Sequence, residues 1–419
     1  MRRRYGEPTM TLRFPPLLLG PTTKGFWCPT PVTRSDFVAA GHTLTDGSLT
    51  WPVLTLDADA VVHNIAQLAA FTAERGLAFA PHGKTTMSPE LFAAQLDAGA
   101  WGITVATGNQ LLTAHSFGVR RLLVANEVLD PAVLRWIAQT LAAEPSTDIL
   151  FHVDSVAAVD VAASAADGGR VRVLLEVGFA AGRSGVRTGD QALAVAQHAV
   201  QTPGVDLVGV SAYEGALADV DAARKYLAEV RAVAEMLVDA GLLRDHVILS
   251  AGGSAYFDVV ADVLGGPDVA GVPSTTILRS GAYLTHDHGT YAASTPFTRI
   301  AGHLYPALRV WAQVVSTPEV GLAIVGAGKR DVPYDSGLPV VLRRHRAAQA
   351  PVAVVGWDVT RTNDQHAYLE ASDPLGTALA VGDLLELGIS HPCTAFDKWR
   401  AIPVIDAGQR VVDVVTTWF

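Results

Sequence analysis

Between Leu77 and Leu278 one unit repeats: a short apolar run, then a stretch with hydrophobic residues at helical spacing. Strands are predicted at Leu77–Ala80, Gly102–Ala106, Arg121–Ala125, Asp148–Val153, Val171–Val177, Leu207–Ala212, His246–Ser250 and Thr276–Leu278. Helical patterns such as Pro131–Ala143 and Ala218–Ala240 lie between them. Eight such units over roughly 230 residues match the size and count of a (β/α)8 barrel. A doubly wound open sheet competes, but it usually has fewer strands and a glycine-rich first turn, which is missing here.

The flanks have a different texture. Trp51–Asp57 reads as a strand leading into a helix, with Asp57 as a cap candidate and Val61, Ile65, Leu68 and Phe71 at helical spacing. The barrel domain is therefore set at residues 51–298. Residues 1–50 are rich in Pro, Thr and Gly and are expected to form an irregular segment packing on the β-domain. After about Arg299 the helices stop, and β-branched runs such as Val310–Val315, Val320–Val325, Leu338–Leu342, Val352–Val355, Leu384–Leu387 and Arg410–Val415 are divided by Gly and Pro. Residues 299–419 are thus expected to form a C-terminal all-β domain. A chain of 419 residues is long enough for both cores.

In a barrel of this kind, catalytic groups collect at the C-terminal ends of the strands. The run Phe79-Ala80-Pro81-His82-Gly83-Lys84-Thr85 places a lysine there, just before a helix beginning at Pro89. A partly desolvated lysine has a lowered pKa and can form a Schiff base with a carbonyl such as that of pyridoxal phosphate. A solvated loop lysine is the plain alternative. The cofactor would need a phosphate cradle, and Ser250-Ala251-Gly252-Gly253-Ser254 follows the seventh strand. Its backbone N–H groups at a helix start suit a dianion, although a tight strand-to-helix turn explains two glycines as well. Gly182-Arg183-Ser184-Gly185 follows the fifth strand and Arg279-Ser280-Gly281-Ala282-Tyr283 the eighth, so both arginines could meet the cofactor or a substrate carboxylate.

Ser390-His391-Pro392-Cys393-Thr394 falls in the predicted β-domain. In a strand, positions i and i+2 share a face, so His391 and Cys393 would present nitrogen and sulfur to one ion, ligand types that suit zinc. A His-x-Cys pair without further context is more often not a metal site. Thr285-His286-Asp287-His288-Gly289 could also bind metal but reads better as a polar loop. Gly326-Ala327-Gly328-Lys329-Arg330 lacks the spacing of a nucleotide loop. With two cysteines in the chain, a disulfide framework is excluded, and Cys28 has no partner motif.

A net charge of −10 argues against a nucleic-acid or anionic-membrane partner. No apolar stretch approaches the roughly 18 residues of a membrane span. These features fit a cytoplasmic protein with a small-molecule substrate.

Taken in order, Pro81-His82-Gly83-Lys84-Thr85, Gly182-Arg183-Ser184-Gly185, Arg279-Ser280-Gly281-Ala282-Tyr283, Asn363-Asp364-Gln365-His366 and His391-Pro392-Cys393 resemble the D-serine dehydratase and D-threonine aldolase group. These are fold-type III pyridoxal phosphate enzymes with an alanine racemase-like barrel. The resemblance implies that Lys84 is the Schiff-base lysine and that Gly252, Gly253 and Ser254 hold the phosphate, with Gly281 and Ala282 nearby. It implies Arg183 near the cofactor's phenolic oxygen, Tyr213 beside the ring and Arg279 near the pyridine nitrogen. His391 and Cys393 match the zinc pair of D-serine dehydratases, where the aldolases typically carry His-x-Asp and use a manganese-type ion.

The chemistry so implied is dehydration and deamination of a β-hydroxy D-amino acid to a 2-oxo acid and ammonia, with Lys84 taking the Cα proton and zinc polarising the hydroxyl. In the aldolase alternative a base, His82 or His366, removes the hydroxyl proton and the Cα–Cβ bond breaks. A homodimer is implied as well, because family members complete the site across an interface. A racemase and a non-catalytic pyridoxal phosphate-binding protein are lesser alternatives. Ala367 after His366, Ala255-Tyr256 after the phosphate turn and Thr86-Met87 after the lysine depart from the group's usual residues and bear on substrate choice.

Overall fold

The computed structural model describes residues 12–347, 349–373 and 376–419. The described residues divide into two compact units: one holds 12–14, 69–84 and 92–281, the other 15–68, 85–91 and those from 282 onward.

In the first unit eight parallel strands form a ring. They are Ala78–Phe79, Ile103–Val105, Arg121–Glu127, Asp148–Val153, Val171–Glu176, Val205–Ser211, Val247–Ala251 and Val272–Leu278. Each pairs with the next from the second to the eighth, and the eighth pairs with the first at Ile277–Ala78 and Leu278–Phe79. A bridge between His82 and Thr104 ties the extension of the first strand to the second and completes the ring. Ala80, Leu123, Leu150, Leu174, Ile248 and Ile277 pack together inside it.

The connecting helices are set by local chemistry. Asp130 caps Pro131–Ala143, its carboxylate accepting from the Ala132 and Val133 amides, and Pro131 supplies a residue that needs no hydrogen-bond acceptor there. Asp219 caps Val220–Asp239, whose buried residues Ala223, Tyr226, Leu227, Val230, Ala234 and Leu237 form one stripe at helical spacing.

The second unit carries an antiparallel sheet with neighbours in the order Val352–Ala353, Val340–His345, Leu384–Gly388, Leu308–Glu319, Leu322–Val325, Ala367–Ala371 and Trp357–Thr362. The sequence missed the last two of these and Ala401–Ile405. It also set Trp51–Asp57 in the barrel, and here the structure differs. Val53–Asp57 pairs antiparallel with Leu308–Glu319 and parallel with Ala401–Ile405, so residues 51–68 belong to the second unit. Val53, Leu54, Thr55 and Leu56 are all buried. A strand covered on both faces carries the same apolar signature in either kind of sheet, and only its partners distinguish them.

Leu150 is fully buried at the centre of the barrel cluster. Leu150→Ala leaves a cavity there and is expected to cost about 2–5 kcal/mol, measured as a lowered thermal midpoint of the full chain.

Candidate functional site

In the first unit the ends of the strands bring together most of the residues singled out in the sequence. Lys84 lies in the turn Gly83–Thr85 with its side chain exposed. Gly83 is required beside it, since a Cβ would fall 2.6 Å from Phe92 Cζ and 2.7 Å from Ile103 Cγ2. His82, two residues earlier, has its Nδ1 buried without a hydrogen-bond partner. Burial, then Lys84 and Arg279, push this imidazole well below its ordinary range, so it stays neutral.

Arg279 is buried. Its guanidinium donates to Ser211 Oγ at 2.9 Å, Ser250 Oγ at 2.7 Å and the Ala212 carbonyl at 2.6 Å. Burial lowers its pKa, and Glu214 and Glu176 counter that effect. Arg183 sits 5.7 Å from the Tyr213 ring, in cation–π range. Its loop is a built structure. Arg187 donates to the Ser184 and Gly182 carbonyls at 2.6 and 2.8 Å, and the Gly185 amide donates to Asp154 at 3.0 Å. Gly185 has φ +91°, and a Cβ there would lie 2.4 Å from the Gly178 nitrogen.

The turn after the seventh strand differs from its expected use. The Gly252 and Gly253 amides donate to the carboxylate of Glu214 at 3.1 and 2.6 Å, and Glu214 is fully buried. Two amides converging on two oxygens make an oxyanion site, and this chain's own side chain sits in it. Ser254 is left as the turn's hydroxyl. The helix does not open there either: it runs Phe257–Leu264, and its N-cap Tyr256 makes no side-chain cap bond. Gly281 closes the first unit, while Ala282 opens a turn, Ala282–Leu284, in the second.

The second unit holds His391 and Cys393, but not on a strand. Pro392 has helical angles, φ −57° and ψ −40°, and Cys393 opens the short helix Cys393–Phe396. Pro392 stops a strand here because its ring fixes φ and it has no N–H to donate. The two side chains still meet: the Cys393 sulfur is the main influence holding His391 up at about 9, against burial and with help from Asp335. A metal ion would have to displace that proton. Asp335 accepts from His391 Nδ1 at 2.6 Å and from the Thr394 hydroxyl at 2.8 Å. With Nδ1 so engaged, Nε2 is the nitrogen left available to a ligand. Thr85 Oγ1 lies 3.3 Å from Cys393 Sγ.

Among the described residues no group of three or more His, Cys, Asp or Glu could hold a metal, so an ion here would have two protein ligands. Their nitrogen and sulfur chemistry fits zinc.

His366 is exposed between the strands Trp357–Thr362 and Ala367–Ala371. The 285–289 loop is structural, with Asp287 accepting from the Gly289, Tyr291 and Ala292 amides. Cys28 is buried, which raises its pKa. The sequence overlooked Glu214 and Asp335, and also His152 and Glu176. The last two carried a signal: each is a polar residue adjoining an apolar run of a barrel strand, in Ile149-Leu150-Phe151-His152 and Val173-Leu174-Leu175-Glu176.

Comparison with known proteins agrees with this architecture. Residues 56–263 match the family described as "Alanine racemase, N-terminal domain", and residues 307–405 the one described as "Putative serine dehydratase domain". D-threonine aldolase of Arthrobacter sp. is 26% identical over 392 residues, covering 92% of this chain and 94% of that protein. D-threo-3-hydroxyaspartate dehydratase of Delftia sp. is 28% identical over 390 residues, covering 87% and 96%. Among solved structures, D-threonine aldolase from Filomicrobium marinum superposes with a TM-score of 0.75 at 25% identity, covering 90% of this chain and 97% of that one. The fold and its two matched domains thus define an alanine racemase-like barrel joined to a dehydratase-type β-domain. Over most of its length the chain is thus similar to D-threonine aldolases and to D-threo-3-hydroxyaspartate dehydratase.

Asp335→Asn is expected to weaken zinc binding by about 10–100-fold, as loss of an orienting partner does at other histidine ligands. Competition with a chromophoric chelator measures this; an unchanged affinity would mean that Asp335 does not orient His391.

Proposed function

We propose that this protein is a pyridoxal phosphate-dependent lyase that dehydrates and deaminates a β-hydroxy D-amino acid with the help of zinc. The observation that carries this reading is the cluster of Lys84, neutral His82, Arg183 and buried Arg279 at the strand ends of one barrel. The exposed Lys84 amine and the unpartnered His82 Nδ1 suit an aldehyde-bearing anionic cofactor. When bound, pyridoxal phosphate supplies an electron sink for charge at Cα.

Lys84 would hold the cofactor and, once its amine is released, take the Cα proton. Arg183, stacked toward Tyr213, and Arg279, fixed by three hydrogen bonds, would orient it. Ser254, Gly281 and Ala282 would meet the phosphate, with Gly252 and Gly253 shaping the turn through Glu214. His391 and Cys393 would hold zinc, which as a Lewis acid makes a hydroxyl a better leaving group.

Several relatives support a lyase of this substrate class, since they are D-threonine and 3-hydroxy-D-aspartate aldolases and a 3-hydroxyaspartate dehydratase. One solved structure of that dehydratase is a cysteine-to-alanine variant in the metal-free form, which supports a cysteine at the metal. Retro-aldol cleavage is the second reading, favoured by the aldolases among the relatives, and it would use His82 or His366 as the base. Cys393, where the aldolases typically carry aspartate, favours elimination. A homodimer and a cytoplasmic location belong to the same proposal; among the described residues no helix is long and apolar enough to cross a membrane.

Incubation with pyridoxal phosphate, zinc and D-threonine is expected to yield 2-oxobutyrate and ammonia by mass spectrometry. Glycine and acetaldehyde would instead establish the aldolase. Lys84→Ala is expected to lose both turnover and the visible absorbance of the bound cofactor; normal turnover in that variant would remove Lys84 from its role.

A further inference from the structure

A chain of buried polar side chains crosses the strand ends beneath the arginines, and nothing in the proposed reaction uses it. Arg279 donates to Ser211 Oγ, and Ser211 Oγ lies 2.8 Å from His152 Nε2. On the other side of the ring, His152 Nδ1 faces Glu176 Oε1 at 3.8 Å. His152 and Glu176 are both buried, 2% and 5% exposed. His152 Nδ1, Glu176 Oε2 and Glu127 Oε1 are buried without hydrogen-bond partners. Strand register brings these groups together: Glu127 is opposite His152, and Glu176 is opposite Ser211.

Glu176 is also tied to the loop that carries Arg183. Its carbonyl accepts from the Val186 amide at 2.8 Å, and the Gly178 amide donates to the Val186 carbonyl at 2.9 Å, closing that loop onto the fifth strand. The Ser184 hydroxyl is beside its carboxylate. One residue thus ties to the loop that carries Arg183 and acts electrostatically on Arg279.

We propose that Glu176, acting through His152 and Ser211, is a positioning residue that fixes the Arg279 guanidinium and the Arg183 loop and supplies the buried counter-charge for the cofactor site. Burial and then Glu176 push Glu127 up to about 8, so at neutral pH it is a neutral acid beside Glu176. Burial would raise Glu176 as well, but His152, Glu127 and Ser184 outweigh it and hold Glu176 below the usual carboxylate range. Burial lowers His152, and Glu176 opposes that effect. Asp154 acts on Glu127, and Tyr226 and Arg279 both feel Glu176. Of the carboxyl pair, Glu176 therefore carries the negative charge.

This inference rests on the cofactor reading, and the test separates the two. The full chain is loaded with pyridoxal phosphate, and its visible absorbance is titrated with pH. Glu176→Gln removes a negative charge and disfavours the cationic form of the chromophore. The pH midpoint should fall by about one unit, the lower end of the shift that an opposite charge near a titrating group produces. Glu176→Asp, which keeps the charge, should retain most of the wild-type midpoint.

Should Glu176→Gln fail to fold, Ser211→Ala carries the test. It cuts the link with all charges in place and should raise the Kd for pyridoxal phosphate about tenfold, as loss of a buried hydrogen bond to a charged group does. An unchanged midpoint in a folded Glu176→Gln, or an unchanged Kd in Ser211→Ala, overturns the positioning role. A wild-type protein that never develops the visible band overturns the cofactor reading, and the inference falls with it.

Discussion

A parallel sheet has to be covered on both faces, and in this chain it does so by closing on itself. The first strand, two residues long, pairs with the eighth, and the Trp101 amide on the Phe79 carbonyl together with the bridge at His82 completes the circle. Because the interior is apolar at Leu123, Leu150, Leu174, Ile248 and Ile277, polar side chains are pushed to the strand ends. Lys84, Glu176, Ser211 and Arg279 are all near such ends. The residue whose backbone completes the ring also offers a neutral imidazole to the site. Scaffold and chemistry therefore share a residue, and a change at His82 acts on both.

The barrel was legible because its signal is local and repeated. Eight apolar runs and the helical stripes between them recur in a pattern that sequence exposes directly. Val53–Asp57 was misassigned because the identity of a buried strand's partner is not local information. The weaker β-strands Trp357–Thr362 and Ala367–Ala371 escaped for a related reason: the first is largely exposed and polar, with no apolar run to read.

At the site, the residues that stand out in sequence are those on distinctive turns. Lys84, Arg183, Arg279, His391 and Cys393 sit among glycines and prolines, which punctuate the chain. Their supporting groups do not. Asp335 reaches His391 across 56 positions, and Glu214 reaches Gly252 and Gly253 across 38 and 39. Such contacts follow from tertiary placement alone. The same gap explains the Gly-Gly turn: the sequence identifies an oxyanion cradle there without revealing that a carboxylate of the chain itself fills it.

The carboxyl pair at Glu127 and Glu176 has a consequence for folding. In an unfolded chain a glutamate ionises near 4.5, whereas Glu127 in the folded barrel holds its proton up to about 8. Between those values the folded state binds a proton that the unfolded state has released, so folding draws one from solvent. A folded-state pKa raised in this way favours the native barrel most on the acid side of the interval and progressively less as the solution becomes alkaline. Glu176, shifted the other way, contributes fully above the ordinary glutamate range and loses that contribution progressively as the pH falls below it. Assembly of this barrel is therefore also an acid–base reaction with its medium.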